Sequence, residues 1–300
     1  MQPQELVIIS GKGGTGKTSI AAAFADYFPN KVLADGDVDA ADLFLVLQVT
    51  ETQIAEFQSG HIAEIDPDKC RQCGKCAALC RFDAIVTSES GYQVDARACE
   101  GCKVCVNACP HHAIEWKEAF CGLWKESRTA QGTLFHASLY PGAENSGKLV
   151  SFLRDKARKK AMDEGIPLIL VDGPPGIGCP VIASITGAAR ILVVTEPTPS
   201  GYHDLERVLA LAKHFQIPTH ILINKADLET SYLKKMEDCA AKSGATVIGQ
   251  IPYSPLFSEA QQKGQSILKA FPTSPEAETL RTIATILKQK MDESEAEGQK

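Results

Sequence analysis

Two matched runs of cysteine constrain this chain more than any other feature. Eight of its eleven cysteines fall into them, and both runs have the spacing C-x2-C-x2-C-x3-C. The runs consist of Cys70, Cys73, Cys76 and Cys80, and of Cys99, Cys102, Cys105 and Cys109. A reducing cytosol disfavours disulfides and favours metal ligation. We therefore expect the cysteine-rich segment, residues 59–118, to fold around metal and to contain short elements only.

The remaining composition is that of an ordinary globular chain. Its 300 residues are 44% hydrophobic, enough for one large core or two smaller ones. The net charge of −6 gives no electrostatic reason to expect nucleic acid as a partner. The N-terminus lacks the features of a signal peptide, and no apolar stretch approaches the roughly 20 residues of a membrane span. The sequence thus predicts a soluble cytoplasmic protein that binds neither nucleic acid nor membrane.

A second motif lies between a strand-like run and an Ala-rich helix near the N-terminus. It satisfies the pattern G-x4-G-K-[ST]. Its members are Gly11, Lys12, Gly13, Gly14, Thr15, Gly16, Lys17 and Thr18. Glycines let backbone N–H groups turn inward around phosphate oxygens, and the N-terminus of the following helix favours an anion. The motif predicts that Lys17 reaches the β- and γ-phosphates of a nucleotide and that Thr18 binds Mg²⁺.

Carboxylates follow two further strand-like segments. Asp35, Asp37 and Asp39 come at the end of the second strand, and Asp172 ends an apolar run that leads into a Gly-Pro-Pro-Gly turn. In an open α/β sheet a ligand lies at the carboxyl ends of the strands. Asp172 is therefore the candidate for holding Mg²⁺ through water, and the Gly176 N–H is the candidate for contacting a γ-phosphate. We assign Asp35 a positional role or a place near the metal.

Strands alternate with helices on both sides of the cysteine runs. This rhythm predicts an α/β fold with a doubly wound, mostly parallel sheet, formed by residues 1–58 and 119–290. The cysteine-rich block, residues 59–118, is expected to be a small α+β domain inserted between the second and third strands. Residues 291–300 are rich in Glu and Ser and predict a flexible acidic tail.

The loop sequence from Lys12 to Thr18 resembles the deviant Walker A motif of the MinD/ParA/nitrogenase-iron-protein superfamily. The resemblance implies an ATPase that hydrolyses slowly without a partner. It implies that Lys12 contacts nucleotide across a dimer interface, so that a homodimer encloses two ATP molecules. It also implies that Asp37 orients the attacking water, with Asp39 as the alternative because related proteins differ in this spacing.

The residues expected to contact the base of the nucleotide admit two interpretations. Asn224 ends another apolar strand, where the superfamily has an asparagine that contacts adenine. Together with Asp227 it completes the pattern N-K-x-D, which also resembles the guanine reader of GTPases. The Walker A variant favours ATP over GTP.

The cysteine spacing resembles that of ferredoxins with two [4Fe–4S] clusters, in which each run supplies three ligands to one cluster and its fourth cysteine to the other. Cluster 1 would take Cys70, Cys73, Cys76 and Cys109, and cluster 2 would take Cys99, Cys102, Cys105 and Cys80. Arg81 follows Cys80 where proline is usual, which removes no ligand. Zinc is the alternative metal, because C-x2-C pairs also bind it. His111 and His112 are expected to be surface or hydrogen-bonding residues rather than ligands.

Three cysteines, Cys121, Cys179 and Cys239, lie outside the runs. Cys179 follows Asp172 at an offset similar to that of a cysteine in the nitrogenase iron protein, which ligates a cluster shared between subunits. The resemblance suggests a further metal site at Cys179, with Cys121 as a weaker partner. The alternative is that Cys179 is a buried structural cysteine, and Cys239 is expected to be structural.

The chain to about residue 270 resembles the MinD-superfamily P-loop ATPases that carry an inserted ferredoxin domain. Three functions are open. The first is ATP-gated electron transfer to a redox partner, which the closed coordination of both clusters favours. The second is delivery of a cluster or metal cofactor to an apo-metalloprotein. The third is a positioning or partner-binding switch with a redox sensor, which the acidic tail disfavours because it offers no basic amphipathic helix.

Overall fold

A computed structural model describes residues 2–88, 91–141, 143 and 146–298. The strands are β1 (Gln4–Ser10), β2 (Lys31–Asp35), β3 (Glu51–Ile65), β4 (Ile85–Ser88), β5 (Gly91–Val94), β6 (Ile114–Thr129), β7 (Gly132–Leu139), β8 (Leu168–Pro175), β9 (Arg190–Thr195), β10 (Thr219–Asn224) and β11 (Thr246–Ile251). The helices are α1 (Lys17–Tyr27), α2 (Leu43–Leu47), α3 (Lys75–Leu79), α4 (Val104–Ala108), α5 (Ser146–Glu164), α6 (Cys179–Ile185), α7 (Pro199–His214), α8 (Ser231–Lys242), α9 (Leu256–Gln262), α10 (Ile267–Ala270) and α11 (Pro275–Gly298).

The chain divides into two compact units. The first comprises Met1–Ala55, Trp124–Ser138 and Ser146–Lys300, and the second comprises Glu56–Leu123 and Leu139–Asn145. The predicted insert lies within the second unit, whose own bounds are slightly wider. The expectation of short elements only is wrong at both ends of the insert, because β3 and β6 are long strands that extend into it. The cysteine spacing describes the ligand loops alone and carries no information about the strands beside them.

A nine-stranded sheet has the order β11-β10-β9-β1-β8-β2-β7-β6-β3. Its central strands β1, β2, β8, β9 and β10 pair in parallel and are buried almost throughout, as apolar strands covered on both faces are. The register places Asp35 of β2 opposite Asp172 of β8. The predicted α/β fold with a mostly parallel sheet is thus confirmed. The two carboxylates lie side by side on neighbouring inner strands of the sheet.

The other end of this sheet contains antiparallel pairing. The Thr50 N–H donates to the Arg128 carbonyl at 2.9 Å, and the Thr52 and Ser127 hydroxyls lie 2.9 Å apart. Since the numbers rise along β3 as they fall along β6, the two strands run in opposite directions. The main segment of the second unit begins within β3 and ends within β6. β4 and β5 form a separate antiparallel pair within that unit.

A buried histidine extends the contact between Thr52 and Ser127. His136 Nε2 lies 2.9 Å from the Ser127 hydroxyl, and the imidazole stacks on Phe44 of α2 with 5.2 Å between ring centroids. Burial, helped by the charge of Lys125, lowers the pKa of His136 to about 4. The histidine is therefore neutral in the folded protein at physiological pH.

We expect mild acid to lower the free energy of unfolding through two buried histidines. Burial, with the charges of Arg190 and Lys290, also lowers the pKa of His220 to about 4. In the unfolded chain both pKa values return to about 6.5. Between pH 6.5 and 4 the unfolded chain therefore binds more protons than the folded chain does. The free energy of unfolding consequently decreases as the pH falls through that window. The expected loss between pH 7.5 and 5.5 is about 1 kcal/mol per histidine, measurable by urea unfolding. In His136→Gln the loss should be about 1 kcal/mol smaller; an unchanged loss would contradict the assignment.

The C-terminal stretch is helical where the sequence predicts a flexible tail from residue 291. α11 continues to Gly298, and the last two residues of the predicted tail lie outside the described part of the chain. Leu280, Ile283 and Leu287 bury the preceding turns in the core. Glu and Ala are good helix formers, so the acidic stretch extends a helix that packing has already nucleated. None of the helices in the described residues has the length and apolar character needed to cross a membrane.

Candidate functional site

A cavity of about 680 Å³ lies in the first unit at the carboxyl ends of the parallel strands. Nine of the predicted nucleotide-site residues line it. They are Gly13, Gly14, Thr15, Gly16, Lys17, Thr18, Asp37, Asp39 and Asn224. The remaining predicted residues, Gly11, Lys12, Asp172, Gly176 and Asp227, are not part of the lining. The structure therefore brings the loop, the acidic segment after β2 and the end of β10 to one place.

Two glycines allow the loop to turn into α1. Gly14 and Gly16 have φ values of +80° and +92°, a region that side chains with a Cβ rarely adopt. A Cβ on Gly16 would also come within 2.5 Å of the Asn224 amide nitrogen. α1 begins at the next residue, so its unpaired N-terminal N–H groups adjoin the cavity. This arrangement suits a bound phosphate.

Lys17 is a buried cation surrounded by carboxylates. Its Nζ lies 2.7 Å from Asp172 Oδ1 and 3.9 Å from Asp37 Oδ2. Burial alone would lower the pKa of Lys17, but the charges of Asp172, Asp35 and Asp37 outweigh it and raise the pKa. Lys17 is therefore protonated at neutral pH and serves as the counter-ion of Asp172.

Asp35 holds the segment that carries the other acidic residues. It is fully buried and accepts hydrogen bonds from the N–H groups of Asp37 and Leu43, each at 3.1 Å. Burial and the negative charge of Asp172 raise the pKa of Asp35 to about 8. These contacts support the positional role, because Asp35 shapes the segment between β2 and α2 and does not line the cavity.

The chemistry around Asp172 fits Mg²⁺. Its Oδ2 atom is buried and has no hydrogen-bond partner among the described residues. A buried carboxylate oxygen without a donor is costly, and Mg²⁺ prefers such hard oxygen ligands. Thr18 supplies a hydroxyl in the wall of the cavity. Asp172 and Thr18 are thus the residues of this chain that would hold the ion.

Lys12 is paired within its own chain with Glu196, a residue that the sequence analysis does not assign to the site. Its Nζ lies 2.6 Å from Glu196 Oε1 and donates to the Ser200 hydroxyl at 2.9 Å. The other oxygen of Glu196 pairs with Lys225 Nζ at 3.0 Å, which also donates to the Gly14 carbonyl at 2.9 Å. Burial raises the pKa of Glu196, but the two lysines outweigh it and lower the pKa. This buried carboxylate therefore joins two lysines beside the phosphate-binding loop.

The two residues of the proposed base reader have different surroundings. The Asn224 amide nitrogen donates to the Thr15 carbonyl at 2.8 Å, and its oxygen accepts from the Lys225 N–H. Asp227 accepts the Tyr253 N–H at 2.6 Å and so anchors the segment after β11. Asn224 lines the cavity whereas Asp227 does not.

Sequence reasoning missed part of the cavity wall, which comes from the segment after β11. Its lining members are Tyr253, Ser254, Phe257, Ser258 and Gln261. The only sequence signal for them is their place after a strand whose carboxyl end adjoins that of β10. Two aromatic rings and two serine hydroxyls are suitable for contact with a base, so these residues are added candidates for that role.

The turn after β8 is fixed to β1. The Gly176 N–H, predicted to contact a γ-phosphate, donates to the Ser10 carbonyl at 2.8 Å. Gly176 has a φ of +95°, which glycine tolerates best. A phosphate contact by this N–H therefore requires exchange of its present partner.

Two small cavities of about 20 Å³ lie in the second unit, each lined by four cysteines. The first is lined by Cys70, Cys73, Cys76 and Cys109, and the second by Cys80, Cys99, Cys102 and Cys105. Each cavity thus receives three thiols from one run and one from the other, which is the grouping that the ferredoxin spacing predicts. Backbone N–H groups of Ala63 and Ala113 point at the sulfurs of Cys99 and Cys109, at 3.5 and 3.4 Å.

The donor set fits a cluster better than a single ion. Among the described residues, no three His, Cys, Asp or Glu side chains lie close enough together to hold one metal ion. Structural zinc draws its four ligands to about 2.0–2.3 Å. Four thiols per cavity, three from one run and one from the other, suit a [4Fe–4S] cubane. Burial raises the pKa of the Cys76 and Cys105 thiols, so metal binding must displace their protons.

The three remaining cysteines differ in exposure. Cys179, at the start of α6, is exposed, so the alternative of a buried structural cysteine is wrong. It lies beside the Gly-rich turn after β8, where packing is too sparse to cover it. Cys121 is buried in the second unit, with its thiol donating to the Ser59 carbonyl at 3.0 Å, an environment that offers no open thiolate. Cys239 is buried in α8, as expected of a structural residue.

The fold and the two sites define a P-loop nucleotide-binding protein with an inserted ferredoxin-like module. The chain belongs to the CobQ/CobB/MinD/ParA nucleotide-binding domain family, whose model matches residues 6–267. It is 35% identical over 224 residues to the uncharacterized protein MJ0578 of Methanocaldococcus jannaschii, covering 74% of this chain and 78% of that one. The predicted superfamily is therefore confirmed.

Two further similarities cover different lengths of the chain, one a short segment and the other nearly all of it. Over 51 residues it is 39% identical to the pyruvate synthase subunit PorD of M. jannaschii, covering 17% of this chain and 59% of PorD. The septum site-determining protein MinD of Pyrococcus horikoshii, solved with Mg-ADP, superposes with a TM-score of 0.58 at 17% identity, covering 95% of this chain and 96% of MinD. The latter likeness establishes the fold.

Proposed function

We propose that this protein binds and hydrolyses ATP and couples its nucleotide state to electron transfer through two [4Fe–4S] clusters. One observation carries the proposal: both four-thiol cavities are complete, and all eight cysteines of the runs line one cavity or the other. Closed coordination spheres suit clusters that are retained and exchange electrons. The same chain supplies a phosphate-binding cavity, so nucleotide and redox chemistry belong to one molecule.

The contacts in the nucleotide cavity support specific roles. A β- or γ-phosphate would compete with Asp172 for Lys17, and release of that carboxylate would leave it, with Thr18, for Mg²⁺. A bound Mg²⁺ would neutralise part of the negative charge of the phosphates. Asp37 and Asp39 both line the cavity, and Asp37 is the one paired with Lys17. We assign orientation of the attacking water to Asp37, with Asp39 as the alternative.

A homodimer with ATP between its subunits would require Lys12 to leave Glu196. Breaking this ion pair adds to the free-energy cost of dimerisation, because Glu196 is mostly buried and would retain only Lys225. Glu196 therefore acts as an intramolecular competitor for the lysine.

We expect Glu196→Gln to promote the ATP-dependent dimer. Loss of the carboxylate charge frees Lys12, and the dimer dissociation constant should fall by about five- to tenfold, which corresponds to about 1–1.4 kcal/mol. Sedimentation velocity with a non-hydrolysable ATP analogue measures this. The control Ser200→Ala removes only a neutral hydrogen bond from Lys12 and should change the constant less than about twofold. Weaker dimerisation of Glu196→Gln would show instead that the carboxylate holds Lys12 in its productive position.

Anaerobic iron analysis with EPR, with and without ATP, tests the function itself. Electron transfer predicts about eight irons per chain, unchanged by ATP, and two one-electron signals whose potentials or transfer rates shift with nucleotide. Iron passing to an apo-protein on ATP addition would favour cluster delivery. Unaltered signals combined with ATP-dependent partner binding would favour the redox-sensing switch.

A further inference from the structure

The two cysteine cavities differ in the charge of the residues around them. The runs read Cys70-Arg71-Gln72-Cys73-Gly74-Lys75-Cys76 and Cys99-Glu100-Gly101-Cys102-Lys103-Val104-Cys105. Their backbones correspond, since Gly74 and Lys103, each following the second cysteine, have φ values of +72° and +68°. The side chains carried on this shared backbone do not correspond, so the two cavities present different surfaces.

The surface of the first cavity is basic. We define the first mouth as its exposed lining residues Arg71, Cys73, Lys75, Pro110 and His111. No Asp or Glu lines this cavity, and neither Arg71 nor Lys75 forms an ion pair with any described residue. Asp66, a nearby acid, is already paired with Lys69 at 2.8 Å. The two cations are therefore available to a partner, although Asp68 also lies nearby in the sequence.

The surface of the second cavity is neutral and more apolar. We define the second mouth as its exposed lining residues Phe82, Glu100, Cys102, Lys103 and Val104. It carries one acid and one base, and the Lys103 ammonium lies 4.5 Å from the centroid of the Trp116 ring. Phe82 and Val104 are 45% and 46% exposed. The second mouth therefore offers no net charge to steer a partner.

We propose that the first mouth is the docking surface for an acidic electron-carrier protein that exchanges one electron with cluster 1. The inference rests on the proposed function and names the partner chemistry for it. Each mouth has one exposed cysteine of its cavity, Cys73 at the first and Cys102 at the second, so the charge of the surroundings distinguishes the two surfaces. In the exchange a reduced cluster loses one electron and the carrier's flavin or metal centre gains it, with no bond made or broken.

Electrostatic complementarity explains why such a partner would choose the first mouth. Two unpaired cations next to a redox centre raise the encounter rate of an acidic protein and orient it, with a strong dependence on ionic strength. Redox partners typically bind through small interfaces, for which a few charges decide the orientation.

Binding of an acidic flavodoxin tests the proposal. Dye-labelled oxidised flavodoxin is titrated anaerobically with the iron-loaded protein, and its fluorescence anisotropy is recorded at 50 and 500 mM salt. Arg71→Glu and Lys75→Glu should each weaken binding at low salt by about five- to tenfold, and the difference should disappear at high salt. Lys103→Glu makes the same charge change at the second mouth and should weaken binding less than about twofold.

The outcomes separate the docking surface from the proposed function. Equal weakening by Lys103→Glu and Arg71→Glu, or no binding to the wild-type protein, would overturn the docking surface. Competition by polyglutamate as strong as that by unlabelled flavodoxin would also overturn it, because the patch would then bind any polyanion. Iron content and EPR are measured on the same samples. Failure of those readouts would instead count against the two-cluster function.

Discussion

Lys17→Met should abolish ATP hydrolysis and lower the free energy of unfolding by about 3–5 kcal/mol. The first effect follows because the variant has no cation for the phosphates. The second follows because Asp172 and Asp37 would lose the charge that now compensates them, 2.7 Å away in the case of Asp172. Release of inorganic phosphate from ATP and chemical denaturation of the same preparation measure the two effects.

The double variant Lys17→Met/Asp172→Asn separates these two effects. Replacing the nearest carboxylate by an amide removes most of the uncompensated charge, so much of the lost stability should return. Hydrolysis should remain absent, because the phosphate and Mg²⁺ contacts are both lost. A single variant as stable as the wild type, or a double variant less stable than the single one, would contradict the view of Lys17 as the counter-ion of Asp172.

Paired cysteine variants should lose one cluster or two according to which cavity their side chains line. Cys73 and Cys109 line the same cavity, so Cys73→Ser/Cys109→Ser should keep about four of roughly eight irons. Cys73 and Cys80 lie in one run but line different cavities, so Cys73→Ser/Cys80→Ser should lose both clusters. Anaerobic iron quantification and EPR spin counting distinguish the two results.

The reverse outcome would assign all four cysteines of each run to one cluster. Cys179→Ala is the matched control, because this cysteine is exposed and lies outside both cavities. We expect it to keep the wild-type iron content in the monomer. Loss of iron per dimer in this variant alone would reveal the additional metal site that its position relative to Asp172 suggests.

Local patterns predicted the parts of both sites that lie on continuous stretches of chain. The loop from Gly11 to Thr18 and the cysteine runs have spacing dictated by the ligand itself. Glu196 and Tyr253 were missed because they join the nucleotide cavity only when the ends of separate strands converge. Asp227, the last member of the N-K-x-D pattern, accepts a hydrogen bond from the Tyr253 backbone N–H and does not line the cavity, which the pattern alone did not predict.

The bounds of elements depended on tertiary packing in the same way. Packing of α11 against the core extended a helix into the acidic stretch. β3 and β6 extended beyond the limits that the cysteine-rich composition suggested.

The antiparallel pairing of β3 and β6 bears on how such a chain arises. The main segment of the second unit begins just after Ala55 and ends just before Trp124. These two residues lie on the neighbouring strands β3 and β6, which a tight hairpin would otherwise be enough to connect. An ancestral gene could therefore acquire the whole cysteine module by lengthening one turn, without reordering the strands around the phosphate-binding loop. The cysteine module is in this sense an addition to a nucleotide-binding domain whose own strand order it leaves unchanged.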